Sequence, residues 1–361
     1  MKMNTRYLLI LLLIIVLPFK RNKACTTPVF LYAMQMWQQD AYQGLVIYRN
    51  ALTAEEEKIL YTFQGSISDS MLLNLSIQKM EISSDRKALK RILGREIPKE
   101  LPAFVLWHGG RMGLDPPFWE STLKEAAMAG ITDSPVRSEI ANHLVRGVPI
   151  VWVFVRSGND DRDNRAAVIL KDQMDEAKAE ILQDPVFQPH FRHIIDKKNL
   201  FPIVEVSRGS DREQVLLPML LAYYPGLKEL DEPLLFPVFG RGRAVGVLKG
   251  DEIEALNLED VIAFLLNPCS CQIKVANPGF DLMLKGDWYT LLARYEEAPV
   301  RPVMASVLPD TIIRYEFEDV PDMTGVSTGF FRTKILSAAG IIVGVILAMI
   351  VLASVIIIKR R

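Results

Sequence analysis

The sequence predicts an α/β protein of two tandem modules, followed by a single membrane-spanning helix at its C-terminus. Three observations carry that expectation. Strand-like apolar runs alternate with helix-like stretches across about residues 44–146 and again across about 148–268, in the same order each time. The segment Ile335 to Ile358 holds two dozen residues without a charge. Finally, half of the 361 residues are apolar and the net charge is −1, a composition that can fill two cores. It offers no basic field for nucleic acid, which is excluded as a partner.

The ends set the expected topology. Lys2 and Arg6 precede the apolar run Tyr7 to Phe19, whose length suits the core of a secretory signal occupying residues 1–24. Lys20, Arg21 and Lys23 directly after that run sit awkwardly with cleavage and make an uncleaved anchor the second reading, behind the cleaved signal. Acylation of Cys25 is a third reading, opposed by the poor Asn22-Lys23-Ala24 run before it. At the other end, 335–358 gives roughly 36 Å of helix, enough to cross a ~30 Å hydrocarbon core. Its polar side chains are Ser337 and Ser354. Lys359, Arg360 and Arg361 form a tail (359–361) that the positive-inside rule leaves in the cytoplasm, although Arg332 and Lys334 flank the other side. The expectation is a single-pass cell-membrane protein whose ectodomain lies outside the cytoplasm and whose first partner is the bilayer. Gly340, Gly344 and Ala348 recur at spacing four, a small-residue face that lets two such helices pair into a homodimer.

Taken in order, the first module (25–147) opens with the apolar run Val29 to Trp37. Leu45 to Tyr48 reads as a buried strand, and Thr53 before Glu55, Glu56 and Glu57 as the start of a helix reaching Gln64. Leu73 to Ile82 alternates as a strand, Arg86 to Leu93 is a basic helix, and Pro102 to Trp107 is a strand ending at a His108-Gly-Gly-Arg111 turn. Helices are expected over Trp119 to Met128 and Ser134 to Arg146, with Asp133-Ser-Pro135 as the start of the second. The second module (148–298) repeats the order. It has a strand at Val148 to Val155, a helix over Arg162 to Leu182 and a strand at Phe201 to Val206. A helix over Asp211 to Tyr223 is expected to kink at Pro218. Strands at Leu234 to Phe239 and Arg243 to Leu248 bracket the Gly240-Arg-Gly242 hairpin, and a helix over Leu258 to Leu266 is capped by Asn257. A Cys269-Ser-Cys271 extension follows, then a stalk at 299–334 in which Thr311 to Phe317 reads as one more strand and Glu316 to Gly329 is acidic.

This order, with a proline leading into each hairpin (Pro102; Pro233 or Pro237), resembles the thioredoxin-like fold. The resemblance implies that these prolines are cis and face a redox motif. Active members carry Cys-x-x-Cys at the turn from the first core strand into its helix, where the helix N-terminus lowers the thiol pKa. Here those turns read Asn50-Ala-Leu-Thr53 and Ser157-Gly-Asn-Asp160, so dithiol chemistry is excluded at that place. Ala24 to Ala33, Asn267-Pro-Cys-Ser-Cys271 and Asn277-Pro-Gly279 are similar to a family of bacterial exported proteins with no assigned activity. That similarity implies cysteines at both places and the company of membrane transport permeases.

Three cysteines outside the cytoplasm leave at least one thiol without a partner in the chain. Cys25 bridged to Cys269 or Cys271 would tie the ectodomain's start to its end. The alternatives are a Cys-x-Cys exchange centre, or a copper or zinc site built from Cys25, Cys269 and Cys271. His190-x-x-His193 has helical ligand spacing but is crowded by Pro185 and Pro189, and reads as a surface pair. His108 and His143 read as structural or solvated. Asp160, Asp161 and Asp163 lack the glycine and distal glutamate of an EF-hand, so a solvated helix-capping loop is expected. Gly240-x-Gly242 precedes a strand rather than a helix, so no dinucleotide site is expected, and no cofactor. The leading functional expectation is a redox-inactive interaction module binding an envelope protein. Thiol or soft-metal handling and an accessory role in membrane transport are the alternatives.

Overall fold

The computed structural model describes residues 27–64, 72–185, 187, 191, 194–195, 197–267, 274 and 279–294. Cys25, Cys269, Cys271, His190, His193, the signal segment 1–24, the stalk and the apolar segment bearing Gly340, Gly344 and Ala348 lie outside the described residues. Among the described residues no helix is long and apolar enough to cross a membrane.

The apolar run at 29–37 is a helix, α1 (Val29–Met36), with Val29, Phe30, Leu31, Ala33 and Met34 all buried. A helix apolar on nearly every side belongs in a core. Next comes β1 (Tyr42–Tyr48), then α2 (Ala54–Gln64), whose start is fixed by a reciprocal box: Thr53 Oγ1 accepts from Glu56 N–H, and the Glu56 carboxylate accepts from Thr53 N–H at 2.8 Å. The short β2 (Leu72–Leu73), β3 (Leu75–Glu81), α3 (Arg86–Leu93) and β4 (Ala103–Trp107) follow. The expected helix over 119–128 is half strand. Trp119–Thr122 is β5, antiparallel to β4, and only Leu123–Met128 is helical, as α4. Thr122 marks the switch: its side chain and Glu125 form a second capping box, which holds Thr122 itself extended.

β1 runs parallel to β3 and antiparallel to β4, giving the order β3-β1-β4-β5. Alternate residues of the central strands enter two cores. Val46, Phe104 and Leu106 meet Leu60 and Phe63 of α2 and Leu123 of α4. Leu45, Ile47, Val105 and Trp107 meet Leu89 and Leu93 of α3. Gly44 sits where a Cβ would lie 2.8 Å from the Phe104 ring, so glycine is what lets that ring cross the strand.

After α5 (Pro135–Val145) the pattern repeats. β6 (Val151–Arg156) leads through the long α6 (Asp160–Gln183) to the parallel β7 (Ile203–Ser207). Then come α7 (Leu216–Leu221) and β8 (Leu234–Phe239), which is antiparallel to β6. The expected helix over 211–223 is thus much shorter. Pro218 falls in its first turn, where no intrahelical N–H is needed and no kink arises. The next strand is split into β9 (Arg243–Ala244) and β10 (Leu248–Lys249). Val238 faces Ala244 while Leu235 faces Leu248, so four steps on the returning strand match three on β8, a β-bulge. The last helix of the unit is α8 (Ala255–Leu266). Its cap is Glu254 rather than Asn257, which sits inside the first turn and donates to Glu252 O at 2.8 Å. The run β7-β6-β8-β9 has the same order and sense as β3-β1-β4-β5, and β11 (Phe280–Asp281) extends it beyond β9.

The two sheets are stitched together by both ends of the described chain. α1 packs on β8 and α8 of the second sheet, and Val29 N–H donates to Asn267 O at 3.1 Å. From the C-terminal side, β12 (Lys285–Gly286) pairs antiparallel with β2. After β12, α9 (Trp288–Ala293) lies against α5.

Candidate functional site

The bond Leu101–Pro102 is cis, the single cis peptide among the described residues. One step past the Ile47–Ala103 pair, register sets Pro102 beside Tyr48 at the exit of β1, where the turn Asn50–Thr53 begins. The same step past the Val155–Leu234 pair sets Pro233 beside Arg156, at the turn Ser157–Asp160. Pro233 and Pro237 are not cis, contrary to the expectation for one of them. Pro237 lies within β8 opposite Trp152, in an extended strand that needs no cis bond. Its missing N–H falls at the bulge between β9 and β10, where its carbonyl still accepts from Val245 N–H at 3.0 Å.

Each turn supplies the cap of the helix that follows it. Thr53 is occupied by the α2 capping box. At the second turn Asn159 Oδ1 accepts from Arg162 N–H at 3.1 Å. Asp163 is not solvated as expected but wholly buried. Its carboxylate accepts from Ser157 N–H and Ser157 Oγ–H, both at 2.8 Å, and from Gly158 N–H at 3.1 Å, with Arg156 Nε at 3.7 Å. Asp160 and Asp161 stay exposed. Among the described residues no group of three or more His, Cys, Asp or Glu is placed to hold a metal ion.

Three buried polar centres lie where the sheets and the extension meet. The first is ionic. Asp281 on β11 is 6% exposed and accepts from Arg243 at 3.2 Å, from Asp40 N–H at 2.6 Å and from Lys274. Lys274 also donates to Asp40 Oδ1 at 2.8 Å and to Gln38 O at 2.6 Å. Two cations meet two carboxylates, and the remaining space beside Arg243 and Asp281 is about 10 Å³, scarcely one water. Asn74 completes the seam by donating to Asp40 O and Leu282 O and accepting from Leu284 N–H at 3.0 Å.

The second centre is Arg137 on α5, 1% exposed. It donates to Ser134 Oγ at 3.0 Å, to Ile131 O at 3.1 Å, to Met283 O at 3.4 Å and to Gly130 O. Burial pulls its pKa down to about 10, against the nearby Asp133 and Glu213 charges. Glu213, also buried, accepts from Ser134 Oγ–H at 2.5 Å and Val136 N–H at 2.8 Å.

The third is His108, the expected turn histidine, which is 9% exposed and ringed by Phe118, Tyr223, Tyr42 and Phe280 at centroid distances of 4.7, 5.2, 5.6 and 5.9 Å. Its Nε2 lies 2.9 Å from Met219 O on α7. A carbonyl only accepts, so the neutral ring carries its proton on Nε2. Burial in this aromatic nest lowers the pKa to about 4, outweighing the Met219 hydrogen bond and Asp115, which raise it. His143 lies on α5, 4.0 Å from Glu139.

A comparison with protein-family models finds no match, and one with curated proteins finds none that is significant. The buried side chains Asp281, Arg243, Arg137, Glu213 and His108 are turned onto backbone, onto a neighbouring hydroxyl or onto an opposite charge. They bind the protein to itself. None of Asp281, Arg243, Arg137 and Glu213 was singled out in the sequence. They stand at positions that read as surface charges, and the nearby signals were the Gly240-Arg-Gly242 and Asn277-Pro-Gly279 turns. An open groove of about 490 Å³ lies elsewhere, between α2 and β3, floored by Ala54, Leu60, Tyr61 and Ile77 and rimmed by Lys58, Glu57 and Lys79, the last two paired at 3.0 Å.

Proposed function

We propose that this chain is a membrane-tethered extracytoplasmic scaffold: two thioredoxin-like modules without redox chemistry, held to the bilayer by Ile335–Ile358 and binding another envelope protein. A transport permease is the candidate partner. The observation that carries this reading is the chemistry of the two strand-to-helix turns. Neither carries a cysteine; Thr53 of the first caps α2, and Ser157 of the second fixes the buried Asp163. The shared order of β3-β1-β4-β5 and β7-β6-β8-β9 supports the fold assignment. The interlocking of the sheets by α1, β12 and the Asp281 centre suits a rigid platform better than a pair of hinged domains.

Cross-linking of the intact membrane form followed by affinity capture tests it. The expected result is stoichiometric recovery of one integral membrane protein, unchanged by C269S/C271S. Truncation before Arg332 should abolish activity in the cell. Turnover of a model disulfide that disappears in C269S/C271S would overturn the reading. So would stoichiometric copper or zinc lost on the same change, which would establish the thiol or metal alternative.

A further inference from the structure

The first sheet ends in a strand that is paired on one side only. β3 pairs with β1, and among the described residues nothing pairs with its other edge over the seven residues Leu75–Glu81. A bare edge of that length recruits another strand unless it is blocked, and only Lys79 among its charged residues guards the middle. The groove between α2 and β3 runs beside that edge, with Tyr61 65% exposed on its floor. Strand addition at such a place places main-chain bonds on the edge and every second side chain in the groove.

We propose that Thr311–Phe317 of the chain's own stalk docks there as a fifth strand, with Ile313, Tyr315 and Phe317 entering the groove. The segment alternates as that geometry requires: Thr311, Ile313, Tyr315 and Phe317 share one face. Its reach is sufficient. The described chain ends at Arg294, which donates to Val145 O of α5 at 2.8 Å, and α5 packs on β12, whose partner Leu72–Leu73 lies just before β3. The sixteen residues between Arg294 and Thr311 span up to roughly 55 Å.

Charge sets the direction. α3 starts just past the C-terminal end of β3 and carries Arg86 and Lys87 in its first turn, with Lys90 and Arg91 one turn later. Cations at a helix N-terminus and like charges at spacing four both destabilise an isolated helix. Lys90 pairs with Glu96, whereas Arg86, Lys87 and Arg91 make no ion pair among the described residues. A strand parallel to β3 delivers Glu318, Asp319 and Asp322 to that end of the sheet. An antiparallel one carries them away.

Hydrogen exchange of the full chain in detergent micelles tests the docking, comparing wild type with I313P/Y315P, which removes two strand donors. Exchange at 75–81 should rise about tenfold in the variant while 42–48 and 103–107 stay unchanged, showing the sheet itself intact. Equal exchange at 75–81 overturns the proposal. So does protection there that grows with protein concentration, since a second copy would then occupy the edge. E318K/D319K should weaken protection several-fold, and R86E/K87E added to it should restore it. Failure of that rescue overturns the parallel orientation.

Discussion

Acid should loosen this protein through His108. The ring is neutral in the fold, with its pKa at about 4, while an exposed imidazole in the unfolded chain titrates near 6.5. The unfolded state therefore binds the extra proton first as pH falls. Stability from this group is complete above 6.5 and is lost between 6.5 and about 4. Between about pH 7.5 and about pH 4.5 the loss is about 2.5 kcal/mol. H108Q retains a donor for Met219 O, at 2.9 Å in the wild type, but has nothing to titrate. At neutral pH it should cost about 1–2 kcal/mol through lost ring packing against Phe118 and Phe280. Urea unfolding followed by tryptophan fluorescence across this range gives both curves, and carboxylates common to the two proteins cancel in the difference. The variant should meet the wild type as pH falls and be the more stable by about 0.5–1.5 kcal/mol near pH 4.5. Parallel curves, with the difference constant across the range, would refute the buried neutral ring.

D281N should lower stability by about 3 kcal/mol, because Arg243 and Lys274 would keep their charges without the carboxylate between them, and denaturation midpoints will measure it. A loss below about 1 kcal/mol would mean the centre is better solvated than its burial indicates. G279A places a Cβ 1.9 Å from Ala244 O at a φ of +107°, so it should cost about 2–3 kcal/mol and detach β11 first, seen as faster amide exchange at 280–281. Peptide mapping without reductant should find Cys25 joined to Cys269 or Cys271, and reduction should then cost roughly 5 kcal/mol by chain entropy. Three freely titrating thiols would exclude that bridge.

Local rules made much of the fold legible. The capping box at Thr53 and Glu56, the basic stretch at 86–93 and the glycine hairpin at 240–242 each fix an element from neighbours in sequence. The errors fall where two local signals compete. Trp119 to Met128 has a helical composition, yet pairing of Trp119–Thr122 with β4 takes the first four residues into the sheet. The stretch 211–215 is polar enough for a helix surface, but Glu213 is drawn inward to Ser134 and Val136. The ionic centre was not legible at all. Its members, Asp40, Arg243, Lys274 and Asp281, are ordinary surface residues in sequence and become a cluster only when distant segments meet, as with the 241-residue separation of Asp40 and Asp281.

The seating of α1 under the second sheet also orders events in time. Arg241 holds the carbonyls of Met34 and Gln35 across 207 and 206 residues of chain. During synthesis the apolar α1 emerges early, and the surface that buries it arrives more than two hundred residues later. Such long-range closure is intrinsically slow, and the waiting helix is a natural ligand for a holdase. The first element made among the described residues is therefore one that only the last-made third of the described fold can bury.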